Sequence, residues 1–456
     1  MTIRNSVVAV AAASTVLFMA GGVQAQSISE ALAMAYSNNP SLNAARATLR
    51  ATDENVPQAL SGWRPQIFAN ASASHTSSSS VPLGQSYYNT STVGVQIQQA
   101  VFRGFRTVNG TRQAEALVRA QRASLVSTEQ SVLLSAAQAY MNVIRDTAIV
   151  SLNRSNIKFL SEQVRAAKDR FEVGEGTRTD IAQSDARLAG ARSQLNLALA
   201  NLNADRAVFR QIVGVEPGRI VPNTNIRSML PPSLKSALAE GEGRHPDIVA
   251  AQFNIDAAGY NVKVVEGNLL PTVTVEGNLQ RQWNPSSSVN IDHTDSATIL
   301  GRVSVPLYQG GLVSSQVRQA KEQLGNARIL LDAARDSVRA AIVAAWGSYE
   351  AAEASVTAAN SQVQAAQLAL NGVIEEQRVG QQTTLDVLNA QNELIDAKSA
   401  LVSAQRESVV AAFSLVAAVG RLTAEDLNLN VAAYDPKEHY KAVRDKWFGL
   451  RTPDGR

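Results

Sequence analysis

Histidine, cysteine and clustered acidic residues are the side chains through which most enzymes and metal sites work, and this sequence uses them sparsely. It has no cysteine, which excludes disulfides, thiolate metal sites and a lipid-modified N-terminal cysteine. Neither a phosphate-binding loop nor a paired spacing of metal ligands occurs. The residues therefore predict neither catalysis nor a bound cofactor or metal. The histidines stand far apart, at His75, His245, His293 and His439.

The composition indicates a folded protein that does not bind nucleic acid. Of the 456 residues 45% are hydrophobic and 18% are charged, and the formal net charge is +3. Basic residues are spread among acidic ones along the chain, so no basic patch is predicted. The length allows several domains.

The N-terminus has the layout of a secretory signal. Arg4 precedes an apolar run from Val7 to Ala20, and Val23-Gln24-Ala25 follows as the cleavage site. We predict a signal peptide over residues 1–25, with cleavage between Ala25 and Gln26. No later stretch of about 18 uncharged apolar residues occurs, so a transmembrane helix is not expected. The chain is therefore expected to be either a membrane β-barrel protein or a soluble protein.

The sequence contains an internal duplication, with two similar halves at a constant offset of 206 residues. We predict a first repeat over residues 26–214, a linker or equatorial segment over 215–240, a second repeat over 241–420 and a C-terminal segment over 421–456. Matching pairs hold one register without insertions: Asn39-Pro40 with His245-Pro246, Arg64-Pro65 with Leu270-Pro271, Gly104 with Gly310, Val173-Gly174 with Val379-Gly380, Asp180 with Asp386, and Val213-Gly214 with Val419-Gly420.

Each repeat begins with a helix and continues, after a proline, with two segments of alternating apolar and polar residues. The predicted strands are residues 66–75, 90–102, 271–280 and 296–308, joined by polar linkers. Each has about ten residues, the length that a tilted strand needs to cross a bilayer. Taken alone, these strands would suit a soluble antiparallel sheet better.

A long helical hairpin ends each repeat, over residues 106–214 and 312–420. The first rod of each hairpin lacks proline, and at 1.5 Å per residue it would be roughly 100 Å long. Apolar residues seven apart predict a left-handed coiled coil. They are Ala136, Val143, Val150, Ile157, Val164 and Phe171 in the first rod, and Ile342, Tyr349, Val356, Val363 and Leu370, with Gln377 last, in the second.

Four strands cannot close a membrane barrel, because an open sheet edge in lipid leaves backbone groups without partners. Several copies must share one barrel. Dimers, trimers and tetramers would supply eight, twelve or sixteen strands, and the strands alone do not choose among them. Closing the strands would also arrange the hairpins into a tube that continues the pore.

The ordered motifs resemble the TolC family of outer-membrane efflux and export channels. They are Leu270-Pro271-Thr272-Val273, Leu307-Tyr308-Gln309-Gly310-Gly311 and Val379-Gly380 followed by residues 385–391, and the resemblance covers residues 27–427. It implies a homotrimer with a twelve-stranded barrel in the outer-membrane lipid and a twelve-helix tunnel in the periplasm. It also implies two partners, a periplasmic adaptor (membrane fusion) protein and an inner-membrane pump of the resistance-nodulation-division or ABC type.

The resemblance further implies a periplasmic gate at the hairpin turns. Asp386 matches an acidic ring, and Asn389 stands where relatives carry a second acid. Thr179 and Asp180 match one side of the links that hold the tunnel shut. The other side falls on Gln377 and Gln382, which replace a tyrosine and an arginine and predict neutral hydrogen bonds in place of a salt bridge. A plainer interpretation is that acids near helix N-termini favour the helix dipole.

Three functions fit these features. Export of drugs and other toxic small molecules is the first, and an exit duct for type I protein secretion is the alternative. A soluble periplasmic coiled-coil adaptor or scaffold would explain the rods but not the paired strands. The basic segment 435–456 lies outside the repeats and has no predicted role.

Overall fold

The computed structural model describes residues 25–80, 84–221, 226–284 and 291–455. Residues 1–24 of the predicted signal peptide lie outside the described residues. Ala25 and Gln26, which flank the predicted cleavage site, form a two-residue strand, β1, that pairs in parallel with Arg219–Ile220.

The first half of the chain consists of short helices, a strand pair and a helical hairpin. Its elements are α1 Ile28–Asn38, α2 Pro40–Asp53, α3 Asn55–Leu60, β2 Gln66–Ser80, β3 Gly84–Arg103, α4 Arg106–Glu172 and α5 Arg178–Val213. The sequence predicts one helix before the strands, but the structure divides it at Glu54. Pro57, inside α3, has no N–H to donate to an unbroken helix.

The second half repeats this order. Its elements are β4 Arg219–Ile220, α6 Leu234–Arg244, α7 Pro246–Glu266, β5 Thr272–Trp283, β6 His293–Ser304, α8 Leu312–Arg378, α9 Thr384–Ala418 and α10 Glu438–Val443. The two long helices, α4 and α8, have 67 residues each. Both are about 100 Å long at the usual helical rise.

Strands β2, β3, β5 and β6 form one antiparallel sheet, in that order. The first hairpin is longer than predicted, because residues 76–80 and 84–89 are paired strand and not a linker. Serine, threonine and asparagine dominate this part, so it shows no apolar alternation, yet its backbone pairing continues. At the other end β6 stops at Ser304, short of the predicted residue 308, because Pro306 cannot continue a ladder.

The long helices bury a heptad seam. In α8 the inward residues alternate at spacings of four and three: Val338, Ile342, Ala345, Tyr349, Ala352, Val356, Ala359, Val363, Ala366 and Leu370. The sequence predicts every second member of this series, and the alanines between them complete it. In α4 the predicted seam residues from Ala136 to Val164 are buried, except that Ile157 is half-buried, whereas Phe171 at the tip is exposed.

The main hydrophobic core lies where α1 and α2 pack on the middle of α4, together with the C-terminal parts of α5 and α9. Tyr140 on α4 is fully buried there, and its hydroxyl lies 2.9 Å from the Gln26 carbonyl oxygen and 2.7 Å from that of Val221. Within the described residues, α9 is the one helix long and apolar enough to cross a membrane. Near its C-terminal end, Val410, Phe413 and Val416 pack in this core.

The C-terminal segment folds back onto the first repeat. His439 of α10 lies 3.1 Å from the buried Asp53 carboxylate of α2, and Val443 is fully buried. The Arg122 guanidinium of α4 lies 5.1 Å from the centre of the Tyr440 ring. This segment, for which the sequence predicts no role, thus covers one side of α2 and α4.

Candidate functional site

One face of the four-stranded sheet is apolar across all strands. Residues opposite one another in an antiparallel sheet share a face. The first row on this face is Ile67, Ile97, Gly277 and Ile299, and the second is Ala69, Val95, Leu279 and Ala297. Ile299 is 86% exposed in the single chain. Such a surface is unfavourable in water and favourable in lipid.

The opposite face is polar. Its rows are Gln66, Gln98, Glu276 and Leu300, then Phe68, Gln96, Asn278 and Thr298, then Asn70, Gly94, Gln280 and Ser296. Leu300 and Phe68 are the apolar exceptions in these rows. A sheet with one apolar and one polar face can separate lipid from water.

An ion pair marks the end of the apolar rows on the side away from the helices. Arg281 on β5 and Asp295 on β6 are opposite each other, and their Nε–Oδ1 and Nη2–Oδ2 distances are both 2.6 Å. Trp283 lies two residues further along β5 on the same face. A tryptophan next to charged residues is typical of a membrane–water boundary.

The hairpin turns carry two equivalent helix caps. Thr383 precedes α9, its hydroxyl accepts from the Asp386 N–H, and Asp386 Oδ2 accepts from the Thr383 N–H at 2.9 Å and from its hydroxyl at 2.6 Å. Thr177 and Asp180 form the same capping box at the start of α5. The bonds from Thr383 hold the pKa of Asp386 below its usual value. Asp386 therefore stays ionised.

Asn389 lies one turn after Asp386 and connects the two hairpins. Its Oδ1 accepts from the Arg187 guanidinium of α5 at 2.8 Å. One half-turn deeper, the buried Gln391 donates from its amide to Asn156 of α4 at 2.9 Å. Leu388, the residue before Asn389, is buried against Leu160, Val164, Leu188 and Ala191 of the first hairpin.

The other predicted gate residues stay within their own hairpins in this protomer. Gln377 donates to the Thr384 hydroxyl at 3.2 Å, across the turn of the second hairpin. Thr179 and Gln382 are exposed. Among the residues that the structure describes, no hydrogen bond joins Thr179 or Asp180 to Gln377 or Gln382.

Sequence reasoning missed Arg187 and Asn156 as the partners that hold the hairpins together. Neither stands at a motif position, and long-range polar partners leave no periodic signal. Burial of an amide beside the heptad seam would have been a clue, because a buried amide requires a partner. Asn156, next to the seam residue Ile157, is buried.

Comparison with known proteins agrees with this architecture. Residues 31–215 and 238–421 match the family model described as "Outer membrane efflux protein". The chain is 46% identical over 431 residues to the outer membrane efflux protein BepC of Brucella suis, covering 94% of this chain and 93% of that protein. It is 26% identical over 423 residues to the outer membrane protein TolC of Escherichia coli, covering 89% and 84%.

Solved structures show the same fold. The CmeC outer membrane channel of Campylobacter jejuni superposes with a TM-score of 0.76 at 16% identity, covering 92% of this chain and 89% of that one. The predicted fold, a membrane β-sheet domain with a helical tunnel domain, is thereby confirmed. The family consists of channels. The two-faced sheet, the duplicated hairpins and the family match lead to one conclusion: this chain belongs to the outer membrane efflux protein family and resides in the outer membrane.

Proposed function

We propose that three copies of this chain form the outer-membrane duct of a tripartite efflux system that exports drugs and other toxic small molecules. The observation that carries this proposal is the sheet with one apolar and one polar face. In the part of the chain that the structure describes, the outer strands β2 and β6 each have one unpaired edge. In lipid both edges must be paired, so copies have to join edge to edge.

Closure of the sheet puts its polar face inside and its apolar face against lipid. Three copies supply twelve strands, and the six helical hairpins they carry continue the bore into the periplasm as a tube. The polar rows contain glutamine, asparagine, serine and threonine with few charges. Such a wall binds no single solute tightly, which suits passage of varied small molecules.

The proposed partners are a periplasmic adaptor and an inner-membrane pump of the resistance-nodulation-division or ABC type. A duct without an energy source cannot move solutes against a gradient, so a pump must supply the work. The hairpin turns are the part of the chain farthest from the membrane. They expose Val173, Val379 and Leu385, which an adaptor can contact.

We propose that Asp386 provides the charge at the narrow end of this duct. Its carboxylate lies at the hairpin turn, is half-exposed and stays ionised. Three symmetry-related copies would attract cations and repel one another. Arg187 and Asn389 would hold the two hairpins of each copy together beside it.

A deletion strain tests the proposed cargo. We expect loss of the gene to lower the minimal inhibitory concentrations of several unrelated drugs at least several-fold, and a plasmid copy to restore them. A plasmid copy lacking residues 374–386 serves as a control, because it keeps the membrane sheet but not the second hairpin turn. Unchanged drug susceptibility together with loss of secreted proteins would contradict drug efflux and favour the secretion duct.

A further inference from the structure

The glycine bend that follows β6 lacks a contact that the equivalent bend after β3 makes. At the end of β3, Gly104 has a φ of +58°, and a Cβ there would lie 2.2 Å from the Gly267 carbonyl oxygen and 2.9 Å from Leu270 Cβ. Gly310 makes the same bend after β6, with a φ of +62°, but nothing lies within 4 Å of its Cβ position. Leu307 and Tyr308 beside it are 92% and 88% exposed.

The duplication indicates what completes this contact. The offset of 206 residues maps Gly267–Leu269 and Leu270, which cover Gly104, onto residues 61–64. Residues 61–64 lead into β2, the free strand at the opposite edge of the sheet. When β2 of one copy pairs antiparallel with β6 of the next, residues 61–64 come to lie beside Gly310 of the neighbouring copy.

The C-terminal segment is attached at this same place. Arg64 donates from Nη1 to the Lys446 carbonyl oxygen at 2.7 Å, and its guanidinium lies 4.9 Å from the centre of the Trp447 ring. At this attachment and just after it the chain exposes three large apolar side chains, Trp447, Phe448 and Leu450. Phe448 is 90% exposed. Two exposed apolar surfaces thus lie on the two sides of the junction between copies. One is formed by Leu307 and Tyr308, and the other by Trp447, Phe448 and Leu450.

We propose that residues 444–451 form a strap across the junction between copies, in which Trp447, Phe448 and Leu450 pack on Leu307, Tyr308 and Leu312 of the neighbouring copy. The strap rests on the proposed ring of three copies. Both surfaces are apolar and exposed in the single chain, and both lie at the base of an edge strand. Removing both from water on assembly favours the closed ring.

The ring itself can be tested independently, because the duplication also predicts the register of the new strand pair. Ile97 of β3 is opposite Gly277 of β5. The same offset places Val303 of one copy opposite Ala71 of the next. The natural sequence has no cysteine, so introduced cysteines report only the designed contacts.

The experiment compares three double-cysteine variants of the full chain under mild oxidation. Ala71→Cys with Val303→Cys tests the ring, and Phe448→Cys with Tyr308→Cys tests the strap. Phe448→Cys with Leu385→Cys is the negative control, because Leu385 lies at the far end of the long hairpin. We expect the first two variants, but not the third, to give disulfide-linked oligomers up to trimers on non-reducing gels.

The outcomes separate the strap from the ring. Linked trimers from the ring pair without links from the strap pair would overturn the strap and leave the ring standing. No links from either pair would overturn both. The exposed apolar residues could instead insert into the lipid bilayer. A fluorophore attached at Phe448→Cys, in vesicles that contain brominated phosphatidylglycerol, tests this. Strong quenching of its fluorescence would mean that the segment inserts into lipid, which would also overturn the strap.

A second pair of variants measures what the strap contributes. Trp447→Ser with Phe448→Ser should lower the temperature at which the trimer dissociates in detergent. Lys437→Ser with Lys441→Ser, which changes two exposed residues of the same C-terminal region, should leave it unchanged. Equal dissociation temperatures for both double variants would count against the strap.

Discussion

Asp386 combines a cap with the charge proposed for the gate, and substitutions can separate the two. Asp386→Asn removes the charge but keeps an oxygen that can accept from the Thr383 N–H. We expect a several-fold loss of cation preference in single-channel recordings, whereas Asp386→Glu should keep it. Because the Thr383 bonds lower the pKa of Asp386, the preference should persist on mild acidification and disappear only when the pH falls through that lowered pKa.

Unchanged selectivity and conductance in Asp386→Asn would leave Asp386 with its capping role alone. Thr383→Val is the matched control. It removes the hydroxyl of the same cap and keeps the charge of Asp386, so an effect common to both variants would come from the cap itself and not from that charge.

Glu129 on α4 gives the protein a predictable dependence on pH. Its carboxylate accepts from the Ala424 N–H at 2.7 Å, and burial raises its pKa. An acid whose pKa is raised on folding destabilises the folded state at pH values above that pKa, and this cost disappears below the pKa of the unfolded chain. Glu129→Gln keeps the acceptor and removes the charge.

We therefore expect Glu129→Gln to raise the thermal midpoint at pH 7 and to converge with the parent protein as the pH approaches 4. The midpoints are measured in detergent by circular dichroism across this range. Glu162→Gln, which changes an exposed acid on the same helix, is the control and should show no such convergence. A constant difference at every pH would contradict the role given to Glu129.

Among single residues, the sequence could predict those that recur in both repeats but not those that contact each other across the two repeats. Asp180 and Asp386 recur at one offset, and the structure gives them the same capping box. Arg187 and Asn389 are also nearly one offset apart, at 202 residues, but here they bond to each other. A contact between the repeats depends on how the hairpins pack, and no local pattern encodes it.

The joint between the two hairpins depends on Leu388, at the scale of helices. Leu388 is 1% exposed and packs on the first hairpin through Leu160 and Leu188. Leu388→Ala should cost about 2–5 kcal/mol, because it leaves a cavity in this small cluster. Hydrogen exchange of residues 384–395 should accelerate while the sheet stays protected.

Leu385→Ala is the matched control for this joint. It removes the same atoms from the same helix at a position that is already exposed, so its exchange should match that of the parent protein. Similar acceleration in both variants would show that the helix N-terminus frays independently of the joint between the hairpins.

Elements with a strong period were predictable, and elements without one were not. The seam of α8 shows a spacing of seven through Ile342 and Leu370, but its alternate positions are alanines, which carry little hydrophobic signal. The outer part of β2 and β3 has no apolar alternation, so the sequence predicts a polar linker there. In the structure, Thr76, Ser77 and Ser79 pair with Tyr88, Tyr87 and Gln85 in a continuous ladder.

At the scale of the whole molecule, the contact between the two repeats within one chain predicts the contact between neighbouring copies. The junction between β3 and β5 lies within the chain, and in the proposed ring the junction between β6 and β2 lies between copies. The residues flanking both are related by one offset. What the chain shows at Gly104 and at Phe105 thus predicts what an assembled ring tolerates at Gly310 and at Gly311.

Two adjacent glycines allow this to be measured. Gly310 and Gly311 have φ angles of +62° and +81°, so alanine at either costs about 1–2 kcal/mol of backbone strain. The counterpart of Gly311 is Phe105, which carries a large side chain at a φ of +59°. The counterpart of Gly310 is Gly104, where a Cβ would overlap the Gly267 carbonyl oxygen.

Gly311→Ala should therefore fold and assemble, whereas Gly310→Ala should fold but assemble poorly, since its methyl group would meet the carbonyl of Ser61 of the neighbouring copy. Circular dichroism checks the fold, and light scattering in detergent measures the fraction of trimer. The strain is common to both variants, so a difference between them isolates the contact between copies. Equal trimer fractions would mean that the junction between copies does not follow the junction within the chain.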